Sequence, residues 1–309
     1  EEFERICKTG LDASPVSQLL STQLLFAALL TGALYGLISL GLNLVYGTLR
    51  LLNVAHGDLV MIGAYTAYWA MTLAGIPPVA SVFLATALCA GLGWLAYTAL
   101  FRRLLANAEI ARRLESNSLL VFFGLSIIIQ NVFALAFTAS PRGYQYLSDV
   151  YEFAGVSTSG SRLLSFAVAA GLCAATYLFL RFNLFGLAVR GLIERPAAAE
   201  IVGIDVDRVR IVSFCAGFAL AGVAGVLVSQ TEQINPFMGF PFTITAFVVI
   251  ILGGLGNIKA GLAASFVLGA IETYGVALTS ANLRSVLIYG IFILVLLVRP
   301  QGLLGKAAR

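Results

Sequence analysis

The sequence predicts an all-α integral membrane protein, a polytopic helical bundle of about eight spans plus one short interrupted segment. Three observations predict it. Of 309 residues, 60% are hydrophobic and only 11% charged, with a mean hydropathy of +0.94. Soluble domains carry about 25% charged residues, so water would not solvate this surface. The apolar runs are long and do not alternate, which selects helices over the roughly ten-residue alternating strands of an outer-membrane barrel. The arginines gather in short segments between those runs, so the net charge of +4 reports orientation in a bilayer and not nucleic-acid binding.

Taken in order, residues 1–17 form a polar, acid-rich extension (Glu1, Glu2, Glu4 and Asp12 against Arg5 and Lys8), which weakly favours the non-cytoplasmic side. The chain begins with Glu1 and not Met; a removed leader and simple trimming both remain open. Residues 18–309 read as a single transmembrane domain. Its first span, Gln18–Leu40, stays apolar to Tyr46 and is followed by Arg50. The second, Leu59–Ala74, is closed by the turn signal Gly75-Ile76-Pro77-Pro78. After the third, Val79–Phe101, come Arg102, Arg103, Arg112 and Arg113 against Glu109, the clearest cytoplasmic loop.

The fourth span is Ser118–Thr138, and the aromatic loop 139–162 suits the outer interface. The fifth is Leu163–Leu180, and segment 181–210, with five arginines, lies inside. The sixth, Ile211–Ser229, leads to an outer polar loop 230–242. The run Thr243–Leu252 is too short to span alone. Ala260–Leu278 and Arg284–Val298 complete the set, and the tail with Arg299, Lys306 and Arg309 is cytoplasmic. If 243–258 reaches the inner side, parity puts the N-terminus outside and the C-terminus inside. Of the cysteines Cys7, Cys89, Cys173 and Cys215, three lie in apolar runs as small hydrophobes, and no spacing suggests a metal or a disulfide framework.

Two interruptions stand out. Asn53-Val54-Ala55-His56-Gly57-Asp58 precedes one apolar run, and Gly253-Gly254-Leu255-Gly256-Asn257 precedes another. Broken segments at matching places in two halves point to a translocation path. Ordinary surface loops explain them as readily. Gly217, Ala221 and Gly225 recur every four residues, which puts them on one face and lets a neighbouring helix approach closely.

Between the fifth and sixth spans, Pro196 suits a first helical turn and Gly203 a C-terminal cap, so a short helix Pro196–Val202 is expected. Glu194, near its start, would complement the helix dipole. An interfacial connector and a docking element are both compatible with it.

At this point the sequence resembles a known family. Leu40–Gly47, then Asn53–Asp58, then Met61–Tyr65 resemble the opening of branched-chain amino acid ABC transporter permeases. The resemblance continues at Ala198–Asp207, at Leu252–Asn257 and in the ending Arg299–Gly305, RPQGLLG. It implies a bacterial inner-membrane importer subunit whose fold is similar to vitamin B12-type permeases. The implied partners are a second related permease, two cytoplasmic ATPases and a periplasmic binding protein; no cofactor is implied. Segment Glu194, Arg195, Pro196, Ala198, Ala199, Glu200 and Gly203 then corresponds to the helix that docks on an ATPase.

The chain has no GxxxxGK[ST] loop, so an ATP-driven mechanism needs a partner. Path candidates are Asn43, Asn53, His56, Asp58, Gly253, Gly254, Asn257 and Glu272, because polar groups at membrane depth are costly. Gln130 and Asn131 read better as interhelical hydrogen bonders, and Asp58 reads equally as an N-cap of a helix starting at Leu59. An ion- or proton-coupled carrier is the alternative, with Asp58, His56 and Glu272 as a thin relay. Without HExxH or GxSxG, an intramembrane enzyme has little support.

Overall fold

A computed structural model describes residues 21–102, 108–153 and 155–298. The polar segment 1–17, Arg103 and the RPQGLLG ending lie outside the described residues. Eleven α-helices are described: α1 (Thr22–Leu49), α2 (His56–Ala74), α3 (Pro78–Ala96), α4 (Ala108–Phe137), α5 (Gly160–Phe182), α6 (Leu184–Glu194), α7 (Pro196–Ile201), α8 (Val206–Val228), α9 (Gly239–Gly253), α10 (Ile258–Leu278) and α11 (Arg284–Val298). A π-helical turn, Tyr97–Phe101, extends α3. A hairpin, β1 (Val150–Phe153) and β2 (Val156–Ser159), pairs antiparallel in the aromatic loop.

Among the described residues, six helices are long and apolar enough to cross a bilayer: α1, α3 with its π turn, α4 from Ser118, α5, α8 and α10. Helices α9 and α11 are shorter apolar helices of 15 residues each. The chain is therefore a multi-pass membrane protein. Leu135 and Phe83, 88% and 78% exposed, show how apolar the outer surface of α3 and α4 is, which suits lipid and not water.

Local chemistry sets the helix ends. Ser21 caps α1 by accepting from Leu24 N–H, and Asp205 caps α8 by accepting from Arg208 N–H at 3.0 Å. Gly75, at φ +64°, ends α2, and Pro78 opens α3 at the turn its sequence signals. The run around Thr243–Leu252 is longer than its apolar stretch suggests, because Gly239-Phe240-Pro241-Phe242 adds the first turn of α9.

Close glycine contacts hold the centre. A Cβ on Gly225 would fall on the Val60 carbonyl, and one on Gly63 on the Gly222 carbonyl, so α8 and α2 touch backbone to backbone. Gly41 and Gly217 do the same for α1 and α8, each placing an added Cβ 2.6 Å from the other's carbonyl oxygen. The small-residue face of α8 is thus a packing surface. Around it runs one apolar core that includes Leu37, Leu42, Met61, Phe214 and Val249.

The faces of the bundle differ in charge. Arg50, Arg102, Arg181, Arg190, Arg195, Arg208, Arg210 and Lys259 lie at or beyond the helix ends on one face. Arg142, Arg162 and Arg284 lie at the other. The hairpin belongs to this second face, where Gln23 pairs with both the N–H and the C=O of Ser157 at 3.0 Å.

Candidate functional site

The first interruption turns back into the protein. Helix α1 ends at Arg50, whose φ of 55° reverses the chain, and the guanidinium donates to the Ile193 carbonyl at 3.4 Å. Six residues later the His56 Nε2 lies 2.9 Å from the Ile38 carbonyl. Ile38 stands twelve residues back along α1, roughly 18 Å at 1.5 Å per residue. Residues 51–53 therefore climb without helical structure, Val54 and Ala55 turn the chain, and α2 starts deep within the bundle. Asp58 meets Gln130 there, near the middle of the apolar part of α4.

The start of α2 meets the start of α9. The Thr243 hydroxyl accepts from Gly57 N–H at 2.8 Å and donates to the Val54 carbonyl at 2.9 Å. A Cβ on Gly57 would collide with the Gly239 carbonyl. Neither helix has a side-chain cap. Two helix N-termini, each with partial positive charge, thus lie beside the Asp58 carboxylate. This corrects the N-cap reading of Asp58: the helix begins at His56, Ala55 is its cap residue, and Asp58 sits inside the first turn. Its Oδ1 accepts from Gln130 Nε2 at 3.0 Å, so Gln130 does link two helices. Asn131 does not; its amide donates to Ile127 of its own helix.

Asn53, His56 and Asp58 are all buried. Both amide atoms of Asn53, His56 Nδ1 and Asp58 Oδ2 have no hydrogen-bond partner among the described residues. Such atoms are costly in low dielectric, so polarity is concentrated here against the grain of the surrounding core.

The second interruption lies at the arginine-rich end. Gly254 and Gly256 take φ of 93° and 80°, which favour glycine. Asn43, buried in α1, accepts from Gly256 N–H at 2.9 Å, and Asn257 caps α10 by accepting from Ala260 N–H. Gly253 packs so closely on Gly261 that an added Cβ would lie 2.5 Å from its nitrogen. The two breaks stand at opposite ends of α9, separated by its 15 residues.

Glu272 is placed apart from both. It borders a cavity of about 480 Å³ on the hairpin side, between α1, α9, α10 and the start of α11. The Tyr35 hydroxyl donates to Glu272 Oε2 at 2.5 Å, and Arg284 Nε donates to Oε1 at 2.5 Å. Arg284 also donates to Tyr35 at 3.1 Å and to Glu232 at 3.2 Å. Tyr35, Arg284 and Glu232 are the residues that sequence reasoning missed. The signal was present: a carboxylate inside an apolar run needs a cation, and the next one along the chain is Arg284. Among the described residues no three His, Cys, Asp or Glu side chains come together as a metal site.

On the arginine-rich face, α6 and α7 form a bent pair. Asn183 caps α6 by accepting from Phe185 N–H. Pro196 opens α7, and Gly203, at φ +82°, closes it. Glu194 ends α6, so it does not complement the start of α7. Arg195 is the α7 cap residue. Ala199 is buried, while Ala198 and Glu200 point outward. Ile201 and Val202 are 86% and 74% exposed.

A sequence profile described as the branched-chain amino acid transport system / permease component matches residues 24–296. The chain is similar to the high-affinity branched-chain amino acid transport system permease protein LivH of Salmonella typhimurium, at 30% identity over 300 residues, 92% of this chain and 95% of LivH. It is similar to permease protein BraD of Pseudomonas aeruginosa, at 31% over 294 residues, 92% of this chain and 95% of BraD. It is also 30% identical over 302 residues to permease protein LivM of Salmonella typhimurium, covering 88% of this chain and 68% of LivM. No solved structure matches the chain.

Proposed function

The chain belongs to the branched-chain amino acid transport permease family, and on that premise we propose that it is the translocation subunit of an ATP-driven importer. Its substrates are branched-chain amino acids or closely related small solutes delivered by a periplasmic binding protein. It sits in the bacterial inner membrane with the arginine-rich face toward the cytoplasm, following the positive-inside pattern. Residues 18–309 act as one permease domain in the vitamin B12-type arrangement, and α2, α9 and α11 join the six long helices to bring the count to about eight spans plus a short interrupted one. A second permease completes the pore; that relatives carry the names LivH and LivM supports this pairing.

The observation that carries the coupling is the tip of α7. Ile201 and Val202 stand bare in a cytoplasmic loop, where nothing but a protein groove or the membrane surface would cover them. Ala199 is buried and its carbonyl accepts from Ile204 N–H, and Ile204 packs on the small apolar cluster of Leu44, Val189, Leu192 and Val206. A short rigid helix with an apolar tip suits the groove of an ATPase subunit. Segment 181–210 is then the coupling loop. Asn53, His56, Asp58, Gly253, Gly254 and Asn257 belong to the two broken segments about which the path opens, and Asn43 of α1 holds the second through Gly256 N–H.

The test is reconstitution of the permease pair with its ATPases and binding protein in liposomes. The Ile201→Asp/Val202→Asp double variant should insert and fold normally yet lose ATP-driven leucine uptake by tenfold or more. Uptake equal to wild type would defeat the coupling role. An ion-coupled carrier needs a relay, and Glu272 is already committed to Arg284 and Tyr35. Uptake that continues without ATPases and collapses with an uncoupler would favour that alternative.

A further inference from the structure

We propose that the cavity on the hairpin face is a binding site for an aliphatic amino acid zwitterion, with Arg162 taking the carboxylate and Glu232 the ammonium. The inference rests on the transport reading above and adds where and how the solute is first held by this chain. The cavity of about 480 Å³ is bounded by α1, α9, α10 and the starts of α5 and α11. That volume falls within the range of roughly 300–1,000 Å³ typical of small-molecule sites.

The charges that line it divide into committed and available groups. Glu272 is buried and accepts from both Tyr35 and Arg284. Arg284 donates to Glu272, Tyr35 and Glu232 through three of its five N–H groups. These three side chains of Tyr35, Glu272 and Arg284 therefore form a fixed floor. Two charged groups remain. Arg162, exposed on the first turn of α5, lines the cavity and has no ion-pair partner among the described residues. Glu232 is held by a single 3.2 Å contact, and its side chain is 40% exposed, so its second oxygen is free to accept.

One cation and one anion, on different elements lining one cavity, match a ligand with both charges. A guanidinium binds a carboxylate with two parallel hydrogen bonds, and an ammonium donates to a carboxylate. A zwitterion leaves the net charge of the cavity unchanged, whereas a simple acid or amine does not. The rest of the wall is mainly apolar, with Leu24, Leu30, Leu34, Phe242 and Val276, and it also carries Thr31, Thr231 and Thr273. The apolar part of that surface takes an aliphatic side chain.

The test uses the full chain in lipid nanodiscs and three probes: leucine, 4-methylpentanoate (carboxylate only) and isopentylamine (ammonium only). Saturation-transfer NMR reads binding, with magnetisation strongest at the methyl groups. Leucine should bind saturably to wild type and at least tenfold more weakly to both Arg162→Gln and Glu232→Gln. The acid probe should lose binding only in Arg162→Gln, and the amine probe only in Glu232→Gln. Both positions are exposed, and circular dichroism checks that the variants fold. Absence of saturable leucine binding, or binding indifferent to both substitutions, overturns the site. ATP-driven leucine uptake by the assembled transporter is measured separately; its absence would sink the transport reading and leave the binding result to stand or fall alone.

Discussion

Arg284→Gln removes the cation that faces a buried carboxylate, and the structure allows its cost to be worked out. Glu272 is 5% exposed and accepts two hydrogen bonds, one from Tyr35 and one from Arg284. Deleting the partner of a fully buried ion pair costs about 3–5 kcal/mol, whereas exposed pairs contribute about 0–1 kcal/mol. Arg284 is 40% exposed at its side chain, so water solvates one end of this pair. A hydrogen bond to a charged group contributes about 1.5–3 kcal/mol. The expected loss is therefore about 2 kcal/mol, roughly a 30-fold change in the folded-to-unfolded ratio. Reversible SDS unfolding in mixed micelles measures it. The Glu272→Gln/Arg284→Gln double variant should be more stable than Arg284→Gln alone, because the amide still accepts from Tyr35 and no lone charge remains. A single variant within about 0.5 kcal/mol of wild type, or a double variant whose cost equals the sum of the singles, would refute the reasoning.

Other substitutions probe the remaining junctions. Gln130→Leu strips a donor from Asp58 and should cost about 1.5 kcal/mol, more than the average of about 0.6 kcal/mol for a neutral interhelical bond in membranes; the same unfolding titration reads it, and Asp58→Asn should make the loss smaller. Gly57→Val drives a branched side chain into the Gly239 carbonyl, so overpacking of about 3 kcal/mol or more is expected and should appear as a lost monodisperse peak in detergent chromatography. Gln23→Ala removes two of the hydrogen bonds that tie the hairpin to α1 and leaves Thr22 on the Gly155 carbonyl; protease cleavage between residues 150 and 159 should become several-fold faster with no change in the bundle's melting.

The membrane class, the long helices and the turn at Gly75–Pro78 were legible because each is written in local pattern: run length, apolar content, and residues with restricted φ. The first break was legible as a break, since Asn53, His56, Gly57 and Asp58 interrupt an apolar run. Its direction was not. That the chain climbs back beside α1 depends on contacts across 18 positions, from His56 to Ile38, and no local rule encodes them. The start of α2 moved from Leu59 to His56 for a similar reason. Asp58 looks like a cap in sequence, but Gln130, 72 positions away, claims its carboxylate oxygen. The hairpin was invisible because its strands are only four residues each and part of what holds them is the side chain of Gln23, 134 positions from Ser157. The six long helices were legible as spans, whereas α2 begins at mid-depth and carries a polar first turn that run length alone does not disclose.

The two broken segments differ in what they connect, and this bears on how ATP turnover would reach a solute. The first is sealed: Thr243 stitches Gly57 and Val54 to α9, and glycine contacts clamp α2 to α8. Such backbone contacts leave little room for sliding, so this junction moves as a block. The second faces α6 at the arginine-rich end. Gly256 packs against Ile193 of α6 and against Gly47 of α1, and it holds its amide toward Asn43. Directly after it, Asn257 starts α10, which carries Glu272 fifteen positions further along, about 22 Å at 1.5 Å per residue. On the transport reading, a displacement of α6 would press on the base of α10, the helix that contributes Glu272 to the floor of the cavity beside Tyr35 of α1 and Arg284 of α11. The glycine at φ +80° is the point of least resistance in that line, because it joins two helices without a side chain of its own to lock them. In this arrangement the sealed break supplies the fulcrum, and the second turns movement at the arginine-rich face into movement beside Glu272.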